Sequence, residues 1–460
     1  MFCFLLATAA PPARADGGRW REMVYGVSLQ PPDNALRYEG PRVIWRDPTG
    51  FWISFEIVRS QAPATLDDFA TSTLVQASFS RNASKLLDQE GRATNAQPQP
   101  ERIAERPAMR MYFEIESQGK DPTPRIHGQT LVMLEPYAAA VLKLNTPQTL
   151  FPRAQEAFDR VVASLQIPFP DELNAAREKQ VDAADAWLGS LGPTALEDRL
   201  GALRWYRLVK NREDVGYLRV AATRDPQTLR LNKFSPPGTL VQLNRRRFFE
   251  GRPFDTQTRI FLSADGAQEQ WSRKSTLRGG DGPRAGLTHA TRTDAPTWAQ
   301  TGLRAAAGAA PQVLTVVTDR PPPTQTVARF QKHAHRFFHE PQAGTPHSSA
   351  EVKRWLVPDR AYLAQAELWS FAALLPNEAA EYCFAAYHPQ SGKPGLRQVR
   401  VVPQEDGGKL VLDQPNSRLG PIHHLYSADG QLVRLTHPDG LTLLPATPQE
   451  LAEIWGTPVE

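Results

Sequence analysis

Two stretches decide the fold: Phe261-Leu-Ser-Ala-Asp-Gly-Ala-Gln-Glu-Gln-Trp271 and Leu425-Tyr-Ser-Ala-Asp-Gly-Gln-Leu-Val-Arg-Leu435. Both set Ser-Ala-Asp-Gly between flanks of strand-forming residues. An Asp-Gly pair accepts the positive φ angles that a tight hairpin turn requires, so each stretch predicts a β-hairpin with a two-residue turn. The recurrence of the phrase fits an internal repeat, and it fits equally well two hairpins that converged on the same turn.

Outward from these hairpins, residues 203–460 read as a β-rich region. Strand patterns run over 205–209, 215–221, 240–246 and 258–262, and again over 382–387, 396–402, 409–412, 423–426 and 432–435. Between the two sets, residues 278–320 are rich in Gly, Ala, Thr and Pro and read as a mobile insertion. Residues 324–339 recover helical spacing, and 361–375 are apolar nearly all round, which predicts a buried helix.

The first third has another texture. Strands are expected over 24–29, 42–46 and 51–58, with Asp47-Pro48-Thr49-Gly50 as a turn between the last two. Thr65 and Asp68 then form a capping-box pattern ahead of a helix. Three more strands, at 109–115, 130–134 and 138–144, precede a helix whose stripe is Ala154, Ala157, Phe158, Val161, Val162 and Leu165. The expected class is α+β, with an N-terminal antiparallel sheet covered by helices over 16–170. A helical linker over 171–202 and the region of antiparallel hairpins follow.

The phrases YGVSLQPP (25–32), TLDDFA (65–70) and AFDRVVASLQI (157–167) resemble the PsbP/DcrB-like group of small α+β domains. That resemblance implies a fold and a binding or scaffolding role, with no shared catalytic set to carry over. The successive C-terminal hairpins resemble LolA/LppX-like half-barrels. This second resemblance implies a curved sheet whose concave face holds an acyl chain or a partner segment. The competing reading closes the Trp- and Tyr-bearing strand faces on one another as core.

Composition bounds the partners. The 460 residues carry 53 basic and 49 acidic side chains, a balance too even to suggest nucleic acid. An apolar run from Phe2 to Ala10, followed by Ala13-Arg14-Ala15, reads as a signal peptide over 1–15 and predicts export to the periplasm or beyond. No later stretch has the ~20 unbroken apolar residues of a membrane span. With the leader removed only Cys383 remains, in a core-like Tyr-Cys-Phe context.

Few residues offer chemistry. Arg245-Arg246-Arg247, followed by Phe248-Phe249, is the candidate anionic-ligand patch, although on a strand Arg245 and Arg247 share one face and Arg246 the other. His335 and His339 stand one helical turn apart, but Arg336 replaces the glutamate that a zinc peptidase needs, and His333 points elsewhere. His423 and His424 alternate across a strand, His388 falls in a turn, and Glu114 and Glu116 share a solvent-facing strand face. Gly279-Gly280-Asp281-Gly282 lacks the Gly-Lys-Ser/Thr of a phosphate loop. No catalytic, metal or cofactor set is expected. The leading expectation is an exported non-catalytic protein that binds a protein partner or an apolar, lipid-like ligand. The alternatives are a hydrolytic or metal-dependent enzyme assembled only in space, and a structural envelope component.

Overall fold

The computed structural model describes residues 18–33, 35–39, 42–60, 62–79, 84–115, 124–191, 195, 198, 203–224, 237–249, 252–277, 295–305, 312–319, 351–389, 392–415 and 420–455. They fall into two compact units, one within 1–176 with 417–421, the other within 177–416 and 422–460.

The chain is mostly β, which overturns the expected α+β class of helix-covered sheet. Long antiparallel ladders dominate, and part of the segment read as an insertion belongs to them. Ala295–Ala305 and Val313–Asp319 are strands, laid against Glu269–Leu277 and against each other. Glycine there is a packing requirement. Gly302 lies opposite Trp271, and a Cβ on it would sit 2.2 Å from the indole.

In the first unit a short pair, β1 (Trp20–Arg21) and β2 (Ser28–Leu29), accompanies an eight-stranded sheet. Its strands are β3 (Leu36–Glu39), β4 (Val43–Arg46), β5 (Trp52–Arg59), β6 (Ser84–Leu87), β7 (Pro100–Ile103), β8 (Arg106–Ile115), β9 (Arg125–Glu135) and β10 (Ala138–Pro147). The order is β3-β4-β5-β10-β9-β8-β6, with β7 on β8. Helix α1 (Leu66–Phe79) starts with a reciprocal cap. The Asp68 amide donates to Thr65 Oγ1 at 3.2 Å, and the Thr65 amide donates to Asp68 at 2.8 Å. Helix α2 (Phe151–Ala163) buries the expected stripe against Trp45, Ile53, Phe55 and Leu142. Phe69 and Ala70 of α1 pack instead with Met109, Met111 and Val141.

The second unit is one fifteen-stranded sheet. Its members are β11 (Arg204–Lys210), β12 (Glu213–Arg224), β13 (Gly238–Phe249), β14 (Arg252–Ser263), β15 (Glu269–Leu277), β16 (Ala295–Ala305), β17 (Val313–Asp319), β18 (Glu351–Leu356), β19 (Tyr362–Leu363), β20 (Ala380–His388), β21 (Lys393–Pro403), β22 (Lys409–Gln414), β23 (Ile422–Tyr426), β24 (Leu432–Thr436) and β25 (Thr442–Ala446). The order β18-β17-β16-β15-β14-β13-β12-β11-β25-β24-β23-β22-β21-β20-β19 joins β11 directly to β25.

The sheet curls until its ends touch through side chains. Tyr387 of β20 packs on Trp271 of β15 and Trp355 of β18, with ring centroids 5.3 and 5.7 Å apart, and accepts a 3.0 Å hydrogen bond from Gln300 of β16. Glu269, fully buried at the start of β15, fastens the same region. It accepts from the Gln365 amide (2.5 Å), Arg304 Nε (3.3 Å) and the Tyr362 hydroxyl (3.4 Å). Residues 361–375 are therefore not the long helix their apolar character predicts; β19 is followed by a 3-10 turn and a single helical turn, α4 (Phe371–Leu374). Helix α3 (Pro170–Ser190) contributes Ala184 and Trp187 to a cluster with Phe371, Phe384 and Val399. Helix α5 (Pro448–Trp455) packs Leu451 with Trp205 and Tyr217. Among the described residues no helix is long and apolar enough to cross a membrane.

Both Ser-Ala-Asp-Gly phrases form hairpins, by a four-residue turn in which only the glycine has positive φ (Gly266 +66°, Gly430 +74°). In each, the glycine amide donates to the serine carbonyl three residues earlier, at 2.8 and 2.9 Å. Gly50, Gly91, Gly407 and Gly440 close turns with the same bond. Turn chemistry accounts for the recurring phrase without an internal repeat.

Candidate functional site

The register of β13, β14 and β15 sorts the three consecutive arginines. Arg246 lies directly opposite Asp255, on the face away from Val241 and Leu243. Its guanidinium grips that carboxylate with two bonds, Nε to Oδ1 at 2.7 Å and Nη2 to Oδ2 at 2.8 Å, and the two residues are 2% and 4% exposed. Burial alone would weaken the charge on Arg246, but the bonds from Asp255 reverse this and hold its pKa above the ordinary arginine value. Arg246 is thereby committed to structure.

Arg245 and Arg247 project from the opposite, inner face, which also carries Val241, Leu243, Ile260 and Trp271. Across the strands Arg245 stands beside Thr256, and Thr256 beside Ser275. Their hydroxyls are 3.2 Å apart, and Arg245 Nη2 reaches Thr256 Oγ1 at 3.5 Å. Two residues before Ser275, Arg273 of β15 joins the same face, opposite Thr258 on one side and Gln300 on the other. A triad of guanidiniums thus gathers from two strands.

These arginines are half-buried. Burial first, and then the charges of Arg273 and Arg247, push the Arg245 guanidinium down to about 9. Its Nε is buried and meets no acceptor among the described residues. Burial also lowers Arg273 and Arg247, with Asp439 pulling Arg247 the other way. Asp439 reaches the site from the His437-Pro-Asp-Gly440 turn between β24 and β25, where it also pairs with Lys210 at 3.5 Å. The same turn carries His437, which burial drives down to about 4; Arg245 lies close enough to lower it further. At neutral pH that imidazole is uncharged.

Other expected residues separate. His423 and His424 alternate along β23; His424 lies 3.3 Å from Asp413, which holds Arg397 by two bonds, Nε–Oδ1 at 2.7 Å among them. His388 closes strand β20 instead of lying in a turn, and burial lowers it to about 4. Glu114 pairs with Lys85 at 3.6 Å. Cys383 is fully buried in core, its thiol raised by burial to about 11. Glu116, residues 279–282, His333, His335, His339 and the leader lie outside the described residues. No group of three or more His, Cys, Asp or Glu able to hold a metal occurs among the described ones.

The first unit has an open cleft of about 570 Å³ between the 63–66 loop, Arg106-Pro107 and 133–136. Both its charges are engaged: Tyr25 donates to Glu135 at 2.7 Å, and Arg106 donates to the Pro168 carbonyl at 3.2 Å.

Sequence reading missed Arg273 because its membership depends on cross-strand register, which no local pattern displays. The Thr-x-Thr of Thr256-Gln257-Thr258 beside a basic strand was the available hint.

Comparison with known proteins adds little. No family model and no curated protein matches the chain. Among solved structures it is similar to the cyanobacterial PsbP, CyanoP, of Synechocystis in solution, at 14% identity over 33% of this chain and 91% of that one, with a TM-score of 0.25. A crystal structure from Bacteroides thetaiotaomicron matches at 10% identity over 44% and 85%, with a TM-score of 0.24. The half-barrel resemblance is not confirmed.

Proposed function

We propose that the chain is a non-catalytic binding protein that takes an anionic ligand on the inner face of its large sheet. One observation carries the reading: Arg245 is a poorly hydrated cation set near two others, with a buried Nε that lacks an acceptor among the described residues. Such a placement costs stability unless an anion offsets it. The guanidinium fork also matches the oxygens of carboxylates and phosphates. Export, with cleavage after Ala15, is proposed with it.

Titration calorimetry of the full chain with acetate, sulfate, inorganic phosphate and a short fatty acid tests the reading. At least one anion is expected to bind with a submillimolar Kd, and Arg245→Gln to weaken it about tenfold or more. Absence of binding by all four, or binding unchanged in the variant, would sink the proposal.

A further inference from the structure

We infer that residues 361–367 form a pH-sensitive latch between the two ends of the large sheet, closed while Glu367 carries a proton and loosened when it is charged beside Glu269. By its backbone the segment belongs to the β20 side. β19 pairs with β20, the Ala385 amide donates to the Ala361 carbonyl at 2.9 Å, and Gln365 Nε2 donates to the Tyr387 carbonyl at 2.8 Å. Among the described residues its polar ties to β15 and β16 run through Glu269 and through Arg304, whose guanidinium lies 4.9 Å over the Tyr362 ring. Nothing in the latch depends on Arg245.

Two carboxylates grip consecutive amides. Glu269 accepts from the Gln365 amide at 2.5 Å and Glu367 from the Ala364 amide at 2.6 Å, which brings the two acids together where the sheet ends meet. The cation there is Arg304, and it is already spread over Glu269 (3.3 Å), the Gly266 carbonyl (2.8 Å) and Gln312 (2.6 Å). Glu269 is fully buried and Arg304 nearly so. One guanidinium balances one carboxylate. A second negative charge in such a place is poorly compensated and costs stability.

The charged groups that act on Glu367 are Glu269 of β15 and Arg304 of β16; Tyr362 of β19 shares the cluster, and burial keeps its hydroxyl protonated. At the start of the segment Asp185 of α3 accepts from the Ala361 amide at 2.8 Å, and Asp182 pairs with Arg360. Burial above all, with Glu269 adding to it, raises Glu367 from 4.5 to about 7 against the pull of the Ala364 amide and Arg304. The closed latch therefore keeps a proton that the open one has lost. Its contribution is whole below about 4.5, shrinks as the pH climbs and is gone above about 7. Burial lowers His388 and His437, so they weaken the unit toward acid, in the opposite sense.

The test is amide exchange of the full chain at pH 5.5 and pH 8, read peptide by peptide and corrected for the intrinsic pH dependence of exchange. Protection over 361–375 is expected to fall about tenfold or more between the two, with a smaller fall at the start of β15 and none in β12 or β13. Glu367→Gln keeps an acceptor for the Ala364 amide and cannot take the charge. In that variant the protection of 361–375 is expected to stay at its pH 5.5 level throughout.

Protection over 361–375 that is equal at both pH values would overturn the latch. So would a fall shared equally by β12 and β13, which marks loosening of the whole unit, or a fall that persists in Glu367→Gln. Should the variant lose protection everywhere and so fail to fold, the comparison of 361–375 with β12 and β13 in the unaltered chain still decides.

Discussion

In the first unit, burial and charge largely keep apart. Trp45, Ile53, Phe55, Leu142 and Phe158 make a dry core under α2, while ion pairs such as Lys85–Glu114 and Lys143–Glu56 involve partly exposed residues. The second unit buries charge pairs, Arg246–Asp255 on one face of its sheet and Glu269–Arg304 where the sheet curls back, and holds Arg245 and its basic neighbours half-buried on the other face. Apolar burial explains a fold by itself, whereas buried charge costs stability unless paired. The unit that tolerates that cost is therefore the place to look for a ligand.

The largest expected effect is at the paired charge. Asp255→Ala leaves Arg246 buried without its carboxylate and should destabilise the second unit by about 3–5 kcal/mol. Amide exchange read peptide by peptide in the full chain should show lost protection in β13 and β14 with α2 unchanged. Equal loss in both units would erase the contrast.

Next comes pH. Burial, and secondarily Glu269, raise Glu367 from 4.5 to about 7. Between those values the folded chain keeps a proton that the unfolded chain has released, so this group's contribution to stability falls as pH rises, by up to about 3 kcal/mol in all. His127 in the first unit has the opposite sign. Burial, with Arg125 and Lys143, lowers it to about 4, so its contribution is lost as pH falls from 6.5 toward 4. His388 and His437 share that second sign within the second unit, so the comparison needs single variants. Glu367→Gln should flatten the pH dependence between 5 and 7 in the second unit alone, and His127→Gln the acid limb in the first. A pH profile unchanged in either variant would remove that residue from the account.

Smaller, and reversed in sign, is Arg245→Met. In anion-free buffer it should stabilise the second unit by about 1–2 kcal/mol, since it removes a poorly hydrated charge from an apolar neighbourhood. Stabilisation at Arg245 beside destabilisation at Asp255 would sharpen the contrast between the two faces of β13. A loss at both would mean that Arg245 is structural as well. Smallest is Lys85→Gln, worth less than about 1 kcal/mol in thermal unfolding, as expected of an exposed ion pair.

What the sequence reveals follows the range of each interaction. Turns are local, so Asp47 to Gly50, Asp265-Gly266 and Asp429-Gly430 are readable, although the glycine alone takes the unusual φ. The α2 stripe and the Thr65–Asp68 cap are legible for the same reason. The class is misread because two well-patterned helices weigh heavily in the first third. Meanwhile β16, with Gly302 admitting the Trp271 ring, looks like loop composition. Residues 361–375 are apolar because Ala364 enters one core cluster and Leu363 and Phe371 another, not because they line a helix. At the arginines, strand alternation separates Arg246 from its neighbours correctly. Asp255 enters through the register of the neighbouring strand, and Arg273 and Asp439 through more distant segments.

The direct pairing of β11 with β25 carries a consequence for assembly. Arg207 lies opposite Leu444, so the first strand of the large sheet waits for the last before both its edges are covered. During synthesis β12 can join β11 at once, whereas the other edge of β11 stays bare until nearly the whole unit has emerged. Such distant closure slows folding, and an uncovered edge invites pairing between chains. A chain stopped just before Thr442 would keep every residue of the arginine triad yet present β11 to its neighbours, so solubility should fail at that truncation before the site itself is touched.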